Sequence, residues 1–181
     1  MARRAFALCI CDIQPLIIQR SIGLIHVRDR VDKLLKARPH LPAPLPTFAA
    51  QLLPEKFGDT RSSLPVLDAT EVFAKPSYSM VDARLLDQLQ SRSITDVILT
   101  GFETHWCVTA SALDLLQHGF TVHVPEDCVM SQSFYDHSVA LRRLERFGVF
   151  PTTVRGCLAS LVGDDVEAGR ALVKQNVLRF F

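Results

Sequence analysis

Short apolar runs alternate with amphipathic stretches along most of the chain. The runs predict strands, because they are rich in β-branched and aromatic residues and are bounded by turn residues. The stretches between them repeat apolar residues every three or four positions, which predicts helices. The predicted strands are Ala5–Cys11, Thr47–Ala50, Glu71–Ala74, Asp96–Thr100, Phe120–Val124 and Phe150–Val154, and the predicted helices cover residues 21–37, 80–91, 105–118 and 133–147. The remaining C-terminal residues also predict helix.

Local signals set the expected ends and faces of these helices. Ser79 is the expected N-cap of the second helix, and Gly119 and Gly148 are expected C-terminal stops. Gln51–Leu67 contains two prolines and a glycine, which predicts a long loop. The residues expected to face the core are Ile22, Ile25, Val31, Leu34 and Leu35 in the first helix and Leu85, Leu86 and Leu89 in the second.

The order of these elements predicts the fold class. Strands that alternate with helices indicate βαβ units and a parallel sheet. The continuous apolar run Val97–Leu99 is typical of a strand covered on both faces. We therefore expect an α/β protein, a three-layer α/β/α sandwich with a mainly parallel sheet, in which residues 1–181 form a single domain.

Composition narrows the function classes. Hydrophobic residues make up 48% of the chain, enough for one sizeable core, and the net charge is +1. The near-neutral charge argues against a nucleic-acid partner, and no apolar run is long enough for membrane insertion. Met1–Cys11 resembles a targeting peptide but fits a first buried strand better, so the expected location is cytoplasmic, with mitochondrial association as the alternative.

Cysteine usage indicates a reduced, intracellular protein. The count is odd, no Cys-x-x-Cys pair occurs, and Cys9 and Cys11 share one face of a strand, where they are poor disulfide partners and poor zinc ligands. The cysteines are Cys9, Cys11, Cys107, Cys128 and Cys157.

Three reactive residue types follow three predicted strands. Ligands bind at the carboxyl ends of strands in open parallel sheets, and Asp12, Lys75 and Cys107 all lie there. Cys107 also begins a helix, where the helix dipole and free backbone N–H groups favour a thiolate. Each residue has an ordinary alternative: Asp12 as a turn cap, Lys75 as a solvated lysine and Cys107 as a packed thiol.

Three motifs resemble those of the isochorismatase-like cysteine hydrolases. They are Asp12-Ile-Gln14-Pro, Phe73-Ala-Lys75-Pro-Ser77-Tyr-Ser79 and Gly101-Phe-Glu-Thr-His-Trp-Cys107-Val-Thr-Ala-Ser-Ala-Leu-Asp114, followed by Gly119–Ser131. The resemblance covers nearly the whole chain and is closest to the small isochorismatase-domain-containing branch. It implies a catalytic triad of Asp12, Lys75 and Cys107, and a cis peptide at Phe102–Glu103. Backbone N–H groups of Glu103 and Cys107 are the expected oxyanion hole.

Departures from the family pattern refine this expectation. The branch commonly carries Thr-Glu-Gln in its second-strand region, whereas this chain has Ala49-Ala50-Gln51 there. Nicotinamidases of the family carry an Asp/His metal site there. Ala49–Leu67 contains no histidine and only one aspartate, Asp59, so we expect no metal and no cofactor.

The expected activity is hydrolysis of an amide or carbamoyl-type C–N bond in a small molecule, through a thioester on Cys107. Acid-catalysed cleavage of a vinyl ether or ester is one alternative, and an interaction protein with a hydrolase fold but no turnover is another. Related proteins are often dimers or tetramers, so a homo-oligomer is expected. Candidate pocket residues are Gln14, Leu52, Tyr78 and Trp106, while His105 is expected at the surface or in a turn, Asp114 in a structural role and His123 in packing or a buried hydrogen bond.

Overall fold

The structure of the protein is a computed structural model that describes residues 4–20, 22–67, 71–175 and 177. The strands of this part are β1 (Phe6–Cys11), β2 (Thr47–Gln51), β3 (Glu71–Ala74), β4 (Asp96–Phe102), β5 (Thr121–Pro125), β6 (Val129–Met130) and β7 (Phe150–Thr152). The α-helices are α1 (Pro15–Ile18), α2 (Ile22–Ala37), α3 (Pro54–Phe57), α4 (Thr60–Ser63), α5 (Ala83–Ser91), α6 (Thr109–Gln117), α7 (Phe134–Arg146), α8 (Val154–Val162) and α9 (Val166–Lys174). Arg38–His40 and Glu126–Cys128 form 3₁₀ turns, and Thr104–Val108 forms a π-helical turn.

Within the described residues the strands form one sheet in the order β3-β2-β1-β4-β5-β7, and β6 pairs with the end of β4. Every pairing is parallel. Helices cover both faces, which confirms the predicted three-layer α/β/α class. None of the described helices has both the length and the apolar character needed to cross a bilayer.

The apolar side chains form two clusters, one on each face of the sheet. Leu8, Ile10 and Ile98 pack towards α2, α8 and α9. Cys9, Cys11 and other alternate residues of β1 pack on the opposite face, towards α5, α6 and α7. Because successive residues of a strand point to opposite faces, both faces of a central strand must be apolar. This explains the unbroken apolar runs of the sequence.

Strand register brings the functional turns together. Cys11 at the end of β1 lies opposite Gly101 near the end of β4. Gly101 has φ +112°, and a Cβ atom added there would lie 1.9 Å from the carbonyl oxygen of Cys11. Glycine is therefore required at this position, because any side chain would force the two strand ends apart.

The predicted ends of helix α5 and strand β7 need correction. Helix α5 begins at Ala83, and its N-cap is Asp82, whose carboxylate accepts from the Leu85 N–H at 2.8 Å. The predicted cap, Ser79, instead accepts from the Val81 N–H in a local turn. The last strand stops at Thr152, because Thr153 caps α8. Ser21, the predicted start of the first helix, lies outside the described residues.

Two predicted stretches also differ in conformation. Part of Gln51–Leu67 is helical, since α3 and α4 each form a single turn that is too short to produce a periodic pattern. The predicted helix over 105–118 begins with the π-helical turn Thr104–Val108 before continuing as α6. Ile25, predicted to face the core, is exposed, whereas Val27 is buried.

Candidate active site

Asp12 follows β1 directly and turns the chain sharply. Its backbone has φ +54°, in the left-handed region that few residues other than glycine adopt. The Asp12 N–H donates to the carbonyl of Ala50 at 3.0 Å, and the Asp12 carbonyl accepts from the Gln14 N–H at 2.9 Å. These bonds hold the buried carboxyl group at the carboxyl edge of the sheet.

Lys75 follows β3 and reaches across the end of the sheet. Its Nζ atom lies 2.9 Å from Oδ2 of Asp12, and both side chains are at most 2% exposed. The same ammonium donates to the carbonyl of Tyr78 at 2.7 Å. A lysine buried to this degree and paired with a carboxylate is not the solvated loop residue of the ordinary alternative.

Cys107 lies in the π-helical turn after β4, and its side chain is nearly buried. The carbonyl of Glu103 accepts from the N–H groups of Trp106 at 3.0 Å and Val108 at 3.2 Å. Neither bond uses the N–H of Cys107 or of Glu103. The peptide bond between Phe102 and Glu103 is cis.

A second thiol joins this cluster. The Cys11 thiol donates to Oδ2 of Asp12 at 3.4 Å and is wholly buried. Oδ1 of Asp12 is also buried and accepts no hydrogen bond of regular geometry from the described residues. The Cys107 side chain interacts with Cys11, Asp12 and Lys75. Two thiols, one carboxyl group and one ammonium thus share the site.

These contacts separate the two thiols by acidity. The Cys11 thiol lowers the pKa of Cys107, because its proton can be donated to the Cys107 thiolate instead of to Asp12, and Lys75 acts in the same direction, although burial and the Asp12 charge oppose both. The pKa of Cys11 is raised well above its usual value by the same interaction with Cys107, by burial and by the charge on Asp12. Cys107 is therefore the thiol that ionises first.

Burial and pairing compete at the two charged groups. Burial raises the pKa of the Asp12 carboxyl group, and the neighbouring Lys75 only partly offsets this. Burial by itself lowers the pKa of Lys75, but the anionic neighbours, Asp12 among them, outweigh burial and raise this pKa above its usual value. Lys75 is therefore a fixed positive charge at neutral pH, beside a carboxyl group that takes up a proton more readily than usual.

Asp12, Lys75 and Cys107 open into a cavity of about 590 Å³. This volume suits a small molecule. Three of the candidate pocket residues, Leu52, Tyr78 and Trp106, line it. The rings of Tyr78 and Trp106 lie 4.6 Å apart between centroids, and both side chains are half exposed at the mouth. The other lining residues are Asp12, Ile17, Arg20, Leu53, Phe57, Lys75, Pro76, Ser77, Phe102, Glu103 and Cys107.

Gln14 does not line this cavity. Its side chain is fully buried, donates to the carbonyls of Leu52 at 3.1 Å and Gly58 at 2.7 Å, and accepts from the Leu52 N–H at 2.9 Å. A buried amide must satisfy its donors and acceptor, and here the loop backbone does so. Gln14 therefore fixes the pocket wall that carries Leu52 rather than facing the cavity.

Arg20 and Phe57 are lining residues that sequence reasoning missed. The guanidinium of Arg20 lies 5.4 Å from the centroid of the Phe57 ring. Phe57 belongs to the single helical turn α3, which the sequence predicted as loop. Neither residue belongs to a motif, so only the folded chain shows that they form one side of the mouth.

The two histidines singled out in the sequence, His105 and His123, contact residues outside the cavity. Nδ1 of His105 lies 2.9 Å from the hydroxyl of Ser131, and the His105 side chain is not part of the cavity wall. His123 pairs with Asp96 at 2.8 Å, at the opposite end of β4 from the cavity. Among the described residues, no group of three His, Cys, Asp or Glu side chains is arranged to hold a metal ion.

Comparison with known proteins agrees with this fold. The isochorismatase domain family matches residues 6–155. Isochorismatase domain-containing protein 2 of Xenopus laevis is 31% identical over 167 residues, which are 91% of this chain and 79% of that protein. Isochorismatase domain-containing protein 1 of Salmo salar is 38% identical over 139 residues, 75% of this chain, and the matched part spans about half (48%) of that protein. The chain belongs to the isochorismatase family.

Solved structures show the same architecture. The MAR1 ribonuclease of Caenorhabditis elegans superposes with a TM-score of 0.89 at 28% identity, over 99% of this chain and 93% of that one. YcaC of Escherichia coli, described as an octameric hydrolase of unknown specificity, superposes with a TM-score of 0.76 at 18% identity, over 96% and 90%. The isochorismatase-like hydrolase fold is therefore that of this chain.

Proposed function

We propose that this protein is a cysteine hydrolase that cleaves an amide or carbamoyl-type C–N bond of a small molecule through a thioester on Cys107. The observation that carries the proposal is the convergence of Asp12, Lys75 and Cys107 on one cavity. The three residues follow three different strands, and the cavity wall is apolar apart from a few polar groups. This combination is typical of an active site.

In the first step, the Asp12 carboxylate takes the proton of the Cys107 thiol. Oδ2 of Asp12 already accepts from Lys75 and Cys11, so Oδ1 is the oxygen left to receive the proton. The positive charge of Lys75 stabilises the thiolate. The raised pKa of Asp12 and the lowered pKa of Cys107 bring the acid and base closer in strength, which makes this transfer easy.

The thiolate then attacks the carbonyl carbon of the substrate, and the carbonyl oxygen becomes an oxyanion. We assign its stabilisation to the backbone N–H groups of Glu103 and Cys107, which follow the end of β4 and the cis peptide bond Phe102–Glu103, in residues that line the cavity. Removal of one oxyanion donor typically costs about 3–4 kcal/mol of barrier. These two backbone groups would therefore contribute as much as a catalytic side chain.

Breakdown of the tetrahedral intermediate breaks the C–N bond and leaves an acyl or carbamoyl thioester on Cys107. Protonated Asp12 gives its proton to the leaving nitrogen and becomes a carboxylate again. The carboxylate then takes a proton from water as the water oxygen attacks the thioester carbonyl. Release of the acid regenerates the thiol, so the cycle consumes only substrate and water.

The residues that line the cavity also indicate the class of substrate. The rings of Tyr78 and Trp106 pack together at the mouth, and Phe57, with the guanidinium of Arg20 over its ring, also lines the cavity. A small planar or apolar amide suits this aromatic lining better than a polymer does. The neighbour from Caenorhabditis elegans is described as a ribonuclease. A net charge of +1 gives this chain no general attraction for RNA, so RNA cleavage is not the proposed reaction.

Trapping of the thioester tests the proposed function. Protein is mixed rapidly with a panel of small amides and ureas, quenched in acid and examined by intact mass, and an adduct that maps to Cys107 is expected. The Cys107→Ser variant should lose the thioester. The Cys157→Ser variant, which removes a buried thiol in α8, should keep it.

Three results would contradict the proposal. Selective alkylation of Cys107 that leaves turnover intact would favour acid-catalysed ether or ester cleavage by Asp12. A reactive Cys107 thiol with no hydrolysis of any amide or urea would favour an interaction protein. RNA cleavage that is lost in Cys107→Ala would favour a nuclease.

We further propose that the protein forms a homo-oligomer, a dimer or tetramer. Phe134, Tyr135 and Val139 are exposed on α7, and an exposed apolar patch is typical of an interface. The structural neighbour YcaC is itself described as octameric. Sedimentation velocity should give a mass above that of one chain, and a Phe134→Ser/Tyr135→Ser variant should reduce it. A monomer at micromolar concentration would contradict this proposal.

A further inference from the structure

Cys11 is a second thiol in the site, and the proposed hydrolysis does not use it as a nucleophile. It is the last residue of β1, lies opposite Gly101 of β4 and is wholly buried. Its Sγ atom lies 3.4 Å from Oδ2 of Asp12. A thiol at the end of this strand therefore sits against the carboxyl group of the triad.

The two thiols of the site are also close neighbours. Cys11 and Cys107 belong to the same side-chain cluster on one face of the sheet, both interact with the carboxyl group of Asp12, and each shifts the pKa of the other. Cys107 lines the cavity, whereas Cys11 lies behind it with no exposed surface. A small solute that enters the cavity thus meets Cys107 first, and Cys107 stands between the solute and Cys11.

We propose that Cys11 and Cys107 form a redox pair, in which a hydroperoxide oxidises Cys107 and Cys11 then closes a reversible disulfide with it. The pair is a modification site within the catalytic cluster. The proposal rests on the place of both thiols in one side-chain cluster, on the 3.4 Å distance from Cys11 Sγ to Asp12 Oδ2 and on the unequal access of the two thiols to the cavity, and it does not require that the protein hydrolyses an amide.

The chemistry balances with a hydroperoxide as the only oxidant. The Cys107 thiolate, whose proton Asp12 has taken, attacks the terminal oxygen of the hydroperoxide and the O–O bond breaks. Sulfenic acid forms on Cys107, and Asp12 returns the proton to the departing oxygen, which leaves as water or an alcohol. The Cys11 thiol then attacks the Cys107 sulfur, the S–O bond breaks, and the oxygen leaves as water together with the Cys11 proton. The two sulfur atoms lose two electrons in total, and the peroxide gains them.

The site supplies what each step needs. Cys107 is held as the more acidic thiol, so it reacts with peroxide. The Asp12 carboxylate accepts from the Cys11 thiol and can take its proton as the disulfide forms. The other buried cysteines are less acidic: burial raises the pKa of both Cys9 and Cys157 to about 12, and burial together with the charge on Asp127 raises the pKa of Cys128. They are expected to stay reduced.

Disulfide formation would have two consequences. It removes the nucleophile, so the proposed hydrolysis stops until a dithiol reductant restores Cys107. It also prevents further oxidation of Cys107 to sulfinic acid, which cellular thiols do not reverse. Cys11 would thus protect the site and make its inactivation reversible.

Mass spectrometry of the whole protein tests the redox pair. The reduced protein is treated with a small excess of hydrogen peroxide, the remaining thiols are alkylated, and the protein is digested without reductant. We expect the loss of two hydrogen atoms per chain, a cross-linked peptide that contains Cys11 and Cys107, and full reversal by dithiothreitol. Direct conversion of Cys107 to sulfinic acid, or a disulfide through any other cysteine, would overturn the proposal.

A matched pair of serine variants separates a redox role from a packing role. Cys9 lies on the same face of β1 as Cys11 and is equally buried. Cys11→Ser should lose the disulfide and gain one and then two oxygen atoms on Cys107, the second of them irreversibly, while Cys9→Ser should behave as the natural chain does. Reversible disulfide formation in Cys11→Ser would refute the assignment. If Cys11→Ser fails to fold, the peptide map of the natural chain still decides.

The result of the redox experiment can be told apart from the result of the thioester-trapping experiment that tests the proposed function. The redox experiment reads masses and uses no amide substrate. A protein that forms the disulfide but no thioester would support the redox pair and contradict the hydrolase. A protein that forms the thioester but no disulfide would do the reverse.

Discussion

The ammonium of Lys75 lies 2.9 Å from the carboxylate of Asp12, although the two residues follow strands on either side of β2. Both side chains are almost fully buried, so neither charge is hydrated as it would be in the unfolded chain. An ion pair of this kind adds little net stability, because desolvation offsets the attraction. Removal of only one of the two charges is costly, since the remaining charge is then buried without a partner.

Lys75→Met should therefore destabilise the fold. We expect the free energy of unfolding to fall by about 3–5 kcal/mol at neutral pH, as measured by urea denaturation. Without Lys75 the pKa of Asp12 rises further above its unfolded value. The deficit should therefore be largest above that pKa and should shrink as the pH falls through it and Asp12 becomes neutral.

The double variant Asp12→Asn/Lys75→Met provides the control. It removes both charges, so it should be more stable than Lys75→Met alone, while both variants lack amidase activity. Equal stability of the single and double variants would show that the cost comes from lost packing of the lysine side chain rather than from the unpaired carboxylate.

The pKa of Cys107 sets a pH dependence. Because this pKa is lowered, the thiolate persists below the usual titration range of cysteine, and it is lost as the pH falls through the folded value. The rate of iodoacetamide alkylation at Cys107 should follow this curve. Cys11→Ala removes the hydrogen-bond donor and should shift the midpoint upward, whereas Cys9→Ala should not. An unchanged midpoint in Cys11→Ala would contradict the assigned cause.

Gly101 should tolerate no side chain. Gly101→Ala places its Cβ atom against the Cys11 carbonyl, and β1 and β4 cannot separate without breaking their hydrogen bonds. We expect a loss above about 4 kcal/mol in the free energy of unfolding, or no folded protein.

Gly119→Ala is the matched control for this change. Gly119 also has a positive φ, +83°, but a Cβ atom there would meet nothing within 4 Å. The expected cost is about 1–2 kcal/mol, which reflects backbone conformation alone. Similar losses in the two variants, measured by thermal denaturation, would show that the close approach of the strands is unimportant.

Trp106 should contribute to substrate binding rather than to chemistry. Its ring lines the mouth of the cavity beside the ring of Tyr78, so it offers a large apolar surface to a substrate and no group for the reacting carbonyl. With an amide that forms the Cys107 adduct, Trp106→Ala should raise KM by about fivefold to tenfold, or about 1 kcal/mol, and leave kcat nearly unchanged. Phe147→Ala, which removes an exposed aromatic outside both the cavity and the proposed oligomer interface, should change neither constant. A fall in kcat alone would contradict a binding role.

Much of the fold could be predicted from local pattern. The strands, the longer helices and the three-layer class follow from periodicity, because a parallel sheet requires strands that are apolar on both faces. The positions of Asp12, Lys75 and Cys107 at strand ends could also be predicted, since the carboxyl edge of such a sheet is where ligands bind. The resemblance to a known family added their expected roles.

Other parts of the site have no local signature. The sequence suggested Gln14 as a pocket residue, yet its amide bonds to the backbone near Leu52 and Gly58. Arg20 and Phe57 were absent from every motif, although they form one side of the mouth. Each of these contacts joins residues that are distant along the chain, so no periodic pattern could reveal it.

The sequence by itself determined that the chain forms alternating strands and helices and that an acid, a lysine and a cysteine follow three strands. Hydrophobic periodicity encodes these features, because burial acts on each element separately. Only the tertiary structure decided that Lys75 pairs with Asp12 and that Cys11 faces Cys107 as a second thiol. Such relationships depend on strand order and register, which arise when all the elements pack together.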